Sequence, residues 1–238
     1  MQERMGSNAL MGRARRVDVG GMVYHAWNRA NFRSRLFASA AQYRAFLGIM
    51  EESLNLVPMR ILAYCLMPNL WHLVLYPRAD GDLARFLQRV TMTHTQRYHA
   101  KGQTMGYGHV YQGRYKSLLV EGDRHFLTLV RYVERNAKRA GLVQRAEEWP
   151  WSSVYVRHYG TEQQRKMLSP WPLPEPTGYL RWLNSRKARR KLRESAKRSG
   201  GADRMDRRDG CQKPSGNSGW KSSRALAVAP NKVPRSPL

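Results

Sequence analysis

The stretch Met59–Pro77, which reads MRILAYCLMPNLWHLVLYP, decides the fold. Two apolar runs of strand-forming residues flank Pro68 and Asn69, residue types that are typical of a tight turn. Strands joined by so short a connection run side by side in opposite directions. The stretch therefore predicts an antiparallel β-hairpin.

The sequence around this hairpin alternates between strand and helix patterns. Strands are predicted at 21–28 and 110–122, and apolar residues at helical spacing predict helices at 38–56, 81–100 and 123–143. Asp82 is predicted to cap the second helix. Helices attached to a few antiparallel strands must bury their apolar faces on the sheet. The order β-α-β-β-α-β-α thus predicts an α+β fold, a ferredoxin-like sandwich whose antiparallel sheet is covered by helices and keeps one open face.

Composition divides the chain into four parts. Residues 1–20 are predicted to form a basic arm, 21–160 a globular domain, and 161–198 a proline-rich linker followed by a basic segment. Residues 199–238 are rich in Gly, Ser, Asp and Arg. This composition predicts a poorly ordered tail.

The protein is strongly basic, with 42 Lys and Arg residues against 17 Asp and Glu and a formal net charge of +25. Such a charge indicates a polyanionic partner. No apolar run approaches the roughly 20 residues that span a bilayer, and the first residues lack the apolar segment of a secretory signal. Two cysteines are too few for a disulfide framework. These features favour nucleic acid over a membrane as the partner, and the cytoplasm as the location.

A lone histidine, His72, lies in the second strand of the predicted hairpin. Side chains of a strand alternate between the faces of its sheet, so Leu70 and His72 share one face while Trp71 points into the core. Two histidines at this spacing would form a divalent-metal site, but the leucine at position 70 has no donor atom. Taken alone, His72 also fits an ordinary hydrogen-bonded strand histidine.

The last predicted helix carries a tyrosine and an amide on one face. Tyr132 and Asn136 are four residues apart, which is about one helical turn, while the apolar residues around them form the core-facing stripe. The pair is also consistent with a half-buried tyrosine and an asparagine that satisfies backbone groups near the helix end. The basic residues of this helix, read against the net charge, are candidate phosphate contacts: Arg131, Arg135, Lys138 and Arg139.

Other polar residues have simpler interpretations. His25 shares its strand with no second ligand, and His94 and His99 are predicted to be solvated at a polar helix end. Three further basic residues are candidate DNA contacts on or beside the predicted strands: Arg29, Arg114 and Lys116.

Four sequence motifs, in this order and spacing, resemble a known family. They are MPNLWHLVLYPR, YQGRYKS, RYVERNAKRAGLV and EEWPWSSV, and MVYHAWNRANFRSRLF resembles the family's opening strand and loop. Together they are similar to the REP-associated tyrosine transposases, bacterial relatives of the single-tyrosine HUH insertion-sequence transposases. The resemblance extends from Met11 to Tyr159.

The resemblance implies roles for individual residues. In that family the strand motif is His-hydrophobic-His, and its two imidazoles hold Mg²⁺ or Mn²⁺ together with one polar residue of the tyrosine helix. Matched residue by residue, His72 is the second histidine, Tyr132 is the nucleophile and Asn136 is the third ligand. Leu70 stands where the first histidine belongs, so metal binding is expected to be weakened.

The resemblance also implies the reaction and the partner. The expected reaction is DNA transposition, through cleavage of hairpin-bearing single-stranded DNA and a 5′-phosphotyrosine intermediate, impaired here by Leu70. A monomer is favoured over a dimer. The protein is expected to associate with the bacterial nucleoid. Two alternatives stay open: a catalytically inactive protein that binds DNA hairpins, and an RNA-binding module of ferredoxin-like fold.

Overall fold

Four antiparallel strands form the sheet of this protein, whose computed structural model describes residues 17–102 and 108–185. The strands are β1 (Val23–Arg29), β2 (Met59–Met67), β3 (Leu70–Pro77) and β4 (Lys116–Val120). Their order across the sheet is β2-β3-β1-β4, and every neighbouring pair is antiparallel. This order puts β1 and β3 at the centre, as in a ferredoxin-like sandwich, and confirms the predicted α+β fold class.

Helices pack on both faces of the sheet. On the first face lie α1 (Ala40–Leu54) and α2 (Asp82–Gly102), and on the second lies α3 (Asp123–Glu134), with a separate buried apolar cluster under each set. The prediction of an open face was therefore wrong for the area around β2 and β3, because α3 has an apolar stripe of its own to bury. No helix within the described ranges is long and apolar enough to span a membrane.

The start of α2 is capped by a residue of the predicted N-terminal arm. The backbone N–H groups of Leu83 and Ala84 donate to the Asp18 carboxylate at 3.2 and 2.8 Å. Asp82, the predicted cap, instead accepts from the Ala79 N–H at 2.8 Å. A carboxylate at a helix N-terminus satisfies its open donors, so the part of the chain from Val17 belongs to the domain. Residues 1–16 of the predicted arm lie outside the described residues.

The predicted last helix is interrupted at Arg135. Helix α3 ends at Glu134, and α4 (Asn136–Arg139) follows after this single residue, so Tyr132 and Asn136 belong to different helical segments. The chain then leaves α4 at Gly141, which has a φ of 74° and donates to the Lys138 carbonyl at 3.1 Å. Glycine adopts this left-handed conformation without strain, which explains its place just past a helix end.

The C-terminal part of the described chain packs on the domain. Helix α5 (Ser153–Tyr159) lies within the predicted globular domain, and the region predicted as a linker contains α6 (Glu162–Lys166) and α7 (Tyr179–Asn184). The Trp171 indole N–H donates to the Leu62 carbonyl at 2.8 Å, and Tyr179 and Leu183 are buried in the second apolar cluster. Aromatic residues among the prolines supply this buried surface. The rest of the predicted segment, 186–198, and the predicted tail, 199–238, lie outside the described residues.

Helix α7 is fastened to the back of α3 and α4. The Arg131 guanidinium donates to the carbonyl oxygens of Trp182 and Ser185, both at 2.8 Å. The Lys138 ammonium donates to the Asn184 side chain at 3.1 Å. These bonds satisfy open carbonyls at the C-terminal end of α7, where positive charge is also favoured by the helix dipole.

We expect Leu183→Ala to lower the free energy of unfolding by about 2–4 kcal/mol, because it removes buried methyl groups from the core. Leu183 is 0% exposed. The matched control is Leu56→Ala, which truncates a leucine that is 61% exposed and should change stability little. Urea denaturation of the two variants checks this, and equal effects would contradict the packing of α7 as part of the core.

Candidate functional site

His72 lies on the face of the sheet that carries α3. Its neighbours along β3 divide as a strand requires: Trp71 is fully buried in the first cluster, whereas Val74 and Leu70 contribute to the second. His72 itself is 7% exposed. The hairpin register thus directs this imidazole toward the layer that contains Tyr132.

The structure brings Tyr132 and His72 together. Their ring centroids are 5.7 Å apart with the ring planes nearly perpendicular, and the Tyr132 ring meets His25 in the same way at 5.9 Å. Tyr132 is 42% exposed although it touches two buried rings. A tyrosine that is accessible on one side and contacts imidazoles on the other has the environment required of a nucleophile that meets a large substrate.

Arg139 connects Tyr132 with Asn136. Its guanidinium carbon lies 4.9 Å from the centroid of the Tyr132 ring, and its Nη1 donates to the Asn136 Oδ1 at 3.4 Å. Asn136 is 7% exposed, and its Nδ2 has no hydrogen-bond partner within the described part of the chain. The phenol and the amide predicted as a pair are therefore joined by an exposed cation, which can contact a phosphate.

His25 is the site residue that sequence reasoning missed. It lies on β1, and its Nε2 is 2.9 Å from Nδ1 of His72 on β3. The sequence analysis found no second ligand on the strand of His25 and did not consider the neighbouring strand. The predicted fold could have indicated this contact, because a ferredoxin-like strand order places β1 beside β3 and both histidines lie on the same face of the sheet.

Both imidazoles are neutral at neutral pH. Burial lowers the pKa of His25 to about 4. The pKa of His72 is lowered to about 3, first by burial and then by electrostatic repulsion of a charged His72 ring by His25, Arg139 and Arg29. Each ring therefore keeps one nitrogen lone pair, which is the form that ligates metals and accepts hydrogen bonds.

The donor set for a metal is incomplete at position 70. The half-buried Leu70 packs with the second apolar cluster and supplies no donor atom. Among residues 17–102 and 108–185, no group of three or more His, Cys, Asp or Glu side chains is placed to hold a metal ion. His72 and Asn136 remain as possible ligands, so the three-ligand arrangement implied by the sequence resemblance does not fit this chain.

The predicted phosphate contacts divide into two groups. Arg131 is buried and its guanidinium is engaged by α7, which corrects its assignment to the DNA-binding set. Lys138 is half-buried and also has its partner on α7. Arg135 is half-buried in the turn between α3 and α4, whereas four others have exposed side chains: Arg29, Arg114, Lys116 and Arg139.

A buried carboxylate, that of Glu134, lies at the C-terminal end of α3, the helix that carries Tyr132. The Ser153 hydroxyl and the Tyr179 hydroxyl donate to the two oxygens of Glu134, each at 2.6 Å. Burial raises the pKa of Glu134 to about 7, and the two hydroxyl donors oppose that rise. These bonds connect α3 to α5 and α7 and so contribute to the placement of Tyr132.

A third buried histidine, His94, belongs to the opposite face of the sheet. His94, predicted to be solvated, is 6% exposed, and its Nδ1 is 2.7 Å from the Tyr111 hydroxyl. Tyr111 also accepts a hydrogen bond from the Trp71 indole N–H at 3.2 Å. The helical position of His94 faces α1, which the polar composition of that helix end concealed.

The chain is similar to known transposases. The family described as "Transposase IS200 like" matches residues 18–136. The solved structure of a REP-associated tyrosine transposase bound to a REP hairpin has 21% sequence identity and a TM-score of 0.52, over 69% of this chain and 93% of that chain. A protein of Deinococcus radiodurans R1 that carries the name transposase has 16% identity and a TM-score of 0.37, over 52% and 95%. No curated protein matches significantly in sequence.

The family match covers half of the chain and reaches from Asp18 to Asn136, so it includes β1, the β2–β3 hairpin and the tyrosine helix. The likeness to the hairpin-bound transposase covers 69% of this chain and supports the fold assignment. The motifs, the fold and the family match agree, and the chain belongs to the IS200-like transposase family.

Proposed function

We propose that this protein cleaves and rejoins single-stranded DNA next to hairpins, with Tyr132 as the nucleophile. The observation that carries the proposal is the position of the Tyr132 ring, which is partly exposed and touches the imidazoles of His72 and His25. The exposed Arg139 guanidinium over the same ring offers a charge to a scissile phosphate. Family membership supports a DNA-processing role for this cluster.

The chemistry follows from the phenol. The phenol releases its proton as its oxygen attacks the phosphorus atom, and the bond between phosphorus and the 3′-oxygen breaks. A phosphotyrosine ester forms at the 5′ end, and the departing 3′-oxygen takes up a proton and becomes a free hydroxyl. The new ester keeps the energy of the broken phosphodiester, so a 3′-hydroxyl can attack it and restore a DNA strand. The exposed guanidinium of Arg139 stabilises negative charge on the phosphate oxygens in both directions.

The DNA partner is supported by charge and by structural likeness. A net charge of +25 is suited to a phosphate backbone, and the solved transposase of similar fold is bound to a REP hairpin. We infer that this chain recognises a hairpin with a flanking single strand, through exposed basic residues of the domain: Arg29, Arg114, Lys116 and Arg139. It does so as a monomer.

Position 70 limits the rate. A Mg²⁺ or Mn²⁺ ion would polarise the phosphate, and His72 and Asn136 are the residues that would hold it. Because Leu70 removes one ligand from that set, metal affinity and cleavage are lower than in a chain with histidine there. The same observation favours the second candidate function, a protein that binds the hairpin and does not cut it.

Tyr132→Phe should abolish covalent capture of a labelled hairpin oligonucleotide, because phenylalanine lacks the attacking oxygen. Tyr159→Phe is the matched control, since Tyr159 is an exposed tyrosine on α5 and should leave capture unchanged. The adduct is detected on a denaturing gel. Capture that survives in Tyr132→Phe would refute the assignment of the nucleophile, and hairpin binding without any adduct in the unmodified protein would select the second candidate.

Leu70→His should raise Mn²⁺ affinity and the cleavage rate on the order of tenfold, because it adds a ligand on the face that His72 occupies. Affinity is measured by titration calorimetry and cleavage by product formation. Leu56→His places the same new imidazole on an exposed loop position and serves as the control. If both variants resemble the unmodified protein in both measurements, Leu70 is not the limiting feature.

Arg139→Ala should weaken hairpin binding about fivefold, because it removes one phosphate contact, while stability stays within about 0.5 kcal/mol. Arg131→Ala should instead lower the free energy of unfolding by about 2 kcal/mol, because the carbonyls of Trp182 and Ser185 lose their donor. Binding is followed by fluorescence anisotropy and stability by urea denaturation. Equal effects of both variants in the two assays would contradict this division.

A further inference from the structure

The imidazoles of His25 and His72 meet edge to edge and nearly in line. The contact between His25 Nε2 and His72 Nδ1 is 2.9 Å, while the ring centroids are 5.1 Å apart and the ring planes differ by 21°. When two ring nitrogens are 2.9 Å apart, the centroids are farthest apart if the rings point straight at each other, and that maximum is only slightly larger than the observed 5.1 Å. The two centroids and the two nitrogens therefore lie close to one straight line.

The straight geometry fits a hydrogen bond between the two imidazoles and does not fit a metal ion that both rings ligate. Two imidazoles that ligate one ion form an angle at that ion, which would bring the ring centroids closer together at the same nitrogen separation. In-line nitrogens of two neutral rings share one hydrogen, which one ring donates and the other accepts. His25 is thus not a substitute for the ligand that is missing at position 70.

Nearby charge decides the direction of this hydrogen bond. The pairing of β1 with β3 sets the exposed Arg29 opposite Leu70, two residues from His72, whereas His25 lies four residues from Arg29 along β1. The charge of Arg139 acts on His72 as well. A hydrogen-bonded imidazole pair is a dipole whose negative end is the ring that keeps an open lone pair. Cations beside His72 favour the arrangement in which His72 is that end and donates its Nδ1–H to His25.

We propose that His25 is a positioning residue for the Tyr132 site, which accepts the Nδ1 proton of His72 and keeps the Nε2 lone pair of His72 open as an acceptor. The opposite arrangement would place a hydrogen on that Nε2 and block it. The pair also fixes the orientation of the His72 ring, because the rings lie on adjacent strands with a defined register. The inference rests on the proposed function and adds a residue to it.

The first test is the tautomer of His72 in the full-length protein labelled with ¹⁵N on histidine. Correlation spectra of the ring nitrogens identify which nitrogen carries the hydrogen, and loss of signals in His72→Gln assigns them. We expect the hydrogen on Nδ1 of His72 in the unmodified protein, and a shift toward Nε2 in His25→Ala. A hydrogen on Nε2 of His72 in the unmodified protein, or an unchanged tautomer in His25→Ala, would overturn the proposal.

The second test separates positioning from a merely structural role. His25→Ala should slow Tyr132 adduct formation at least about tenfold in a single turnover, with hairpin affinity within about twofold. His25→Gln, whose amide can accept near the position of the imidazole Nε2, should recover part of the rate and the Nδ1 tautomer. His94→Ala removes a comparable buried and hydrogen-bonded imidazole on the other face and should leave the His72 signals unchanged.

The two hypotheses fail in different ways. If the unmodified protein forms no adduct but His72 shows the expected dependence on His25, the proposed cleavage is wrong and the positioning role stands. If adduct forms at the same rate in His25→Ala and the unmodified protein, the positioning role is wrong and the proposed cleavage stands. Equal rate losses in His25→Ala, His25→Gln and His94→Ala, with matching losses of stability, would reduce His25 to a structural residue.

Discussion

The pairing of β1 with β3 is the constraint on which the site depends. It sets Trp27 opposite His72 and brings His25 within hydrogen-bond distance of the His72 ring. Strand side chains alternate between faces, so a slip of one residue would turn either histidine to the opposite side of the sheet. The apolar residues of β1 and β3 oppose such a slip, because they alternate between two separate buried clusters, one on each face of the sheet.

Helix α3 faces the sheet across the site and is anchored on its other side by the C-terminal helices. Helix α3 presents Tyr132 toward the sheet, while Arg131 and Glu134 on its other side bind groups of α5 and α7. A charged or polar group that is buried contributes stability only when its partners are in place. The C-terminal segment is therefore part of the support of the tyrosine, and the residues that anchor it are not available to DNA.

The electrostatic character of the site suits a phosphodiester. Two neutral imidazoles, an exposed guanidinium and a partly exposed phenol meet there, in a protein of net charge +25. A phosphate group entering this environment meets a cation at Arg139 and no carboxylate among the contacts that define the cluster. What the environment lacks is the donor that a histidine at position 70 would add, and Leu70 packs as an ordinary apolar residue instead.

The sequence by itself determined the hairpin, the fold class, the positive charge and the absence of a ligand at position 70, and it indicated Tyr132, Asn136 and His72 as candidate site residues. These features depend on composition or on residues that are close together in the sequence, as apolar periodicity, turn residues or a short motif. Only the tertiary structure decided the partner of His72, the anchoring of Arg131 and the packing of residues 161–185. His25 and His72 are 47 positions apart in the chain, so their contact depends on strand order and register, and Arg131 lost its predicted role to a helix about 50 residues later. Long-range partners of this kind are set by which surfaces bury each other, which no local pattern records.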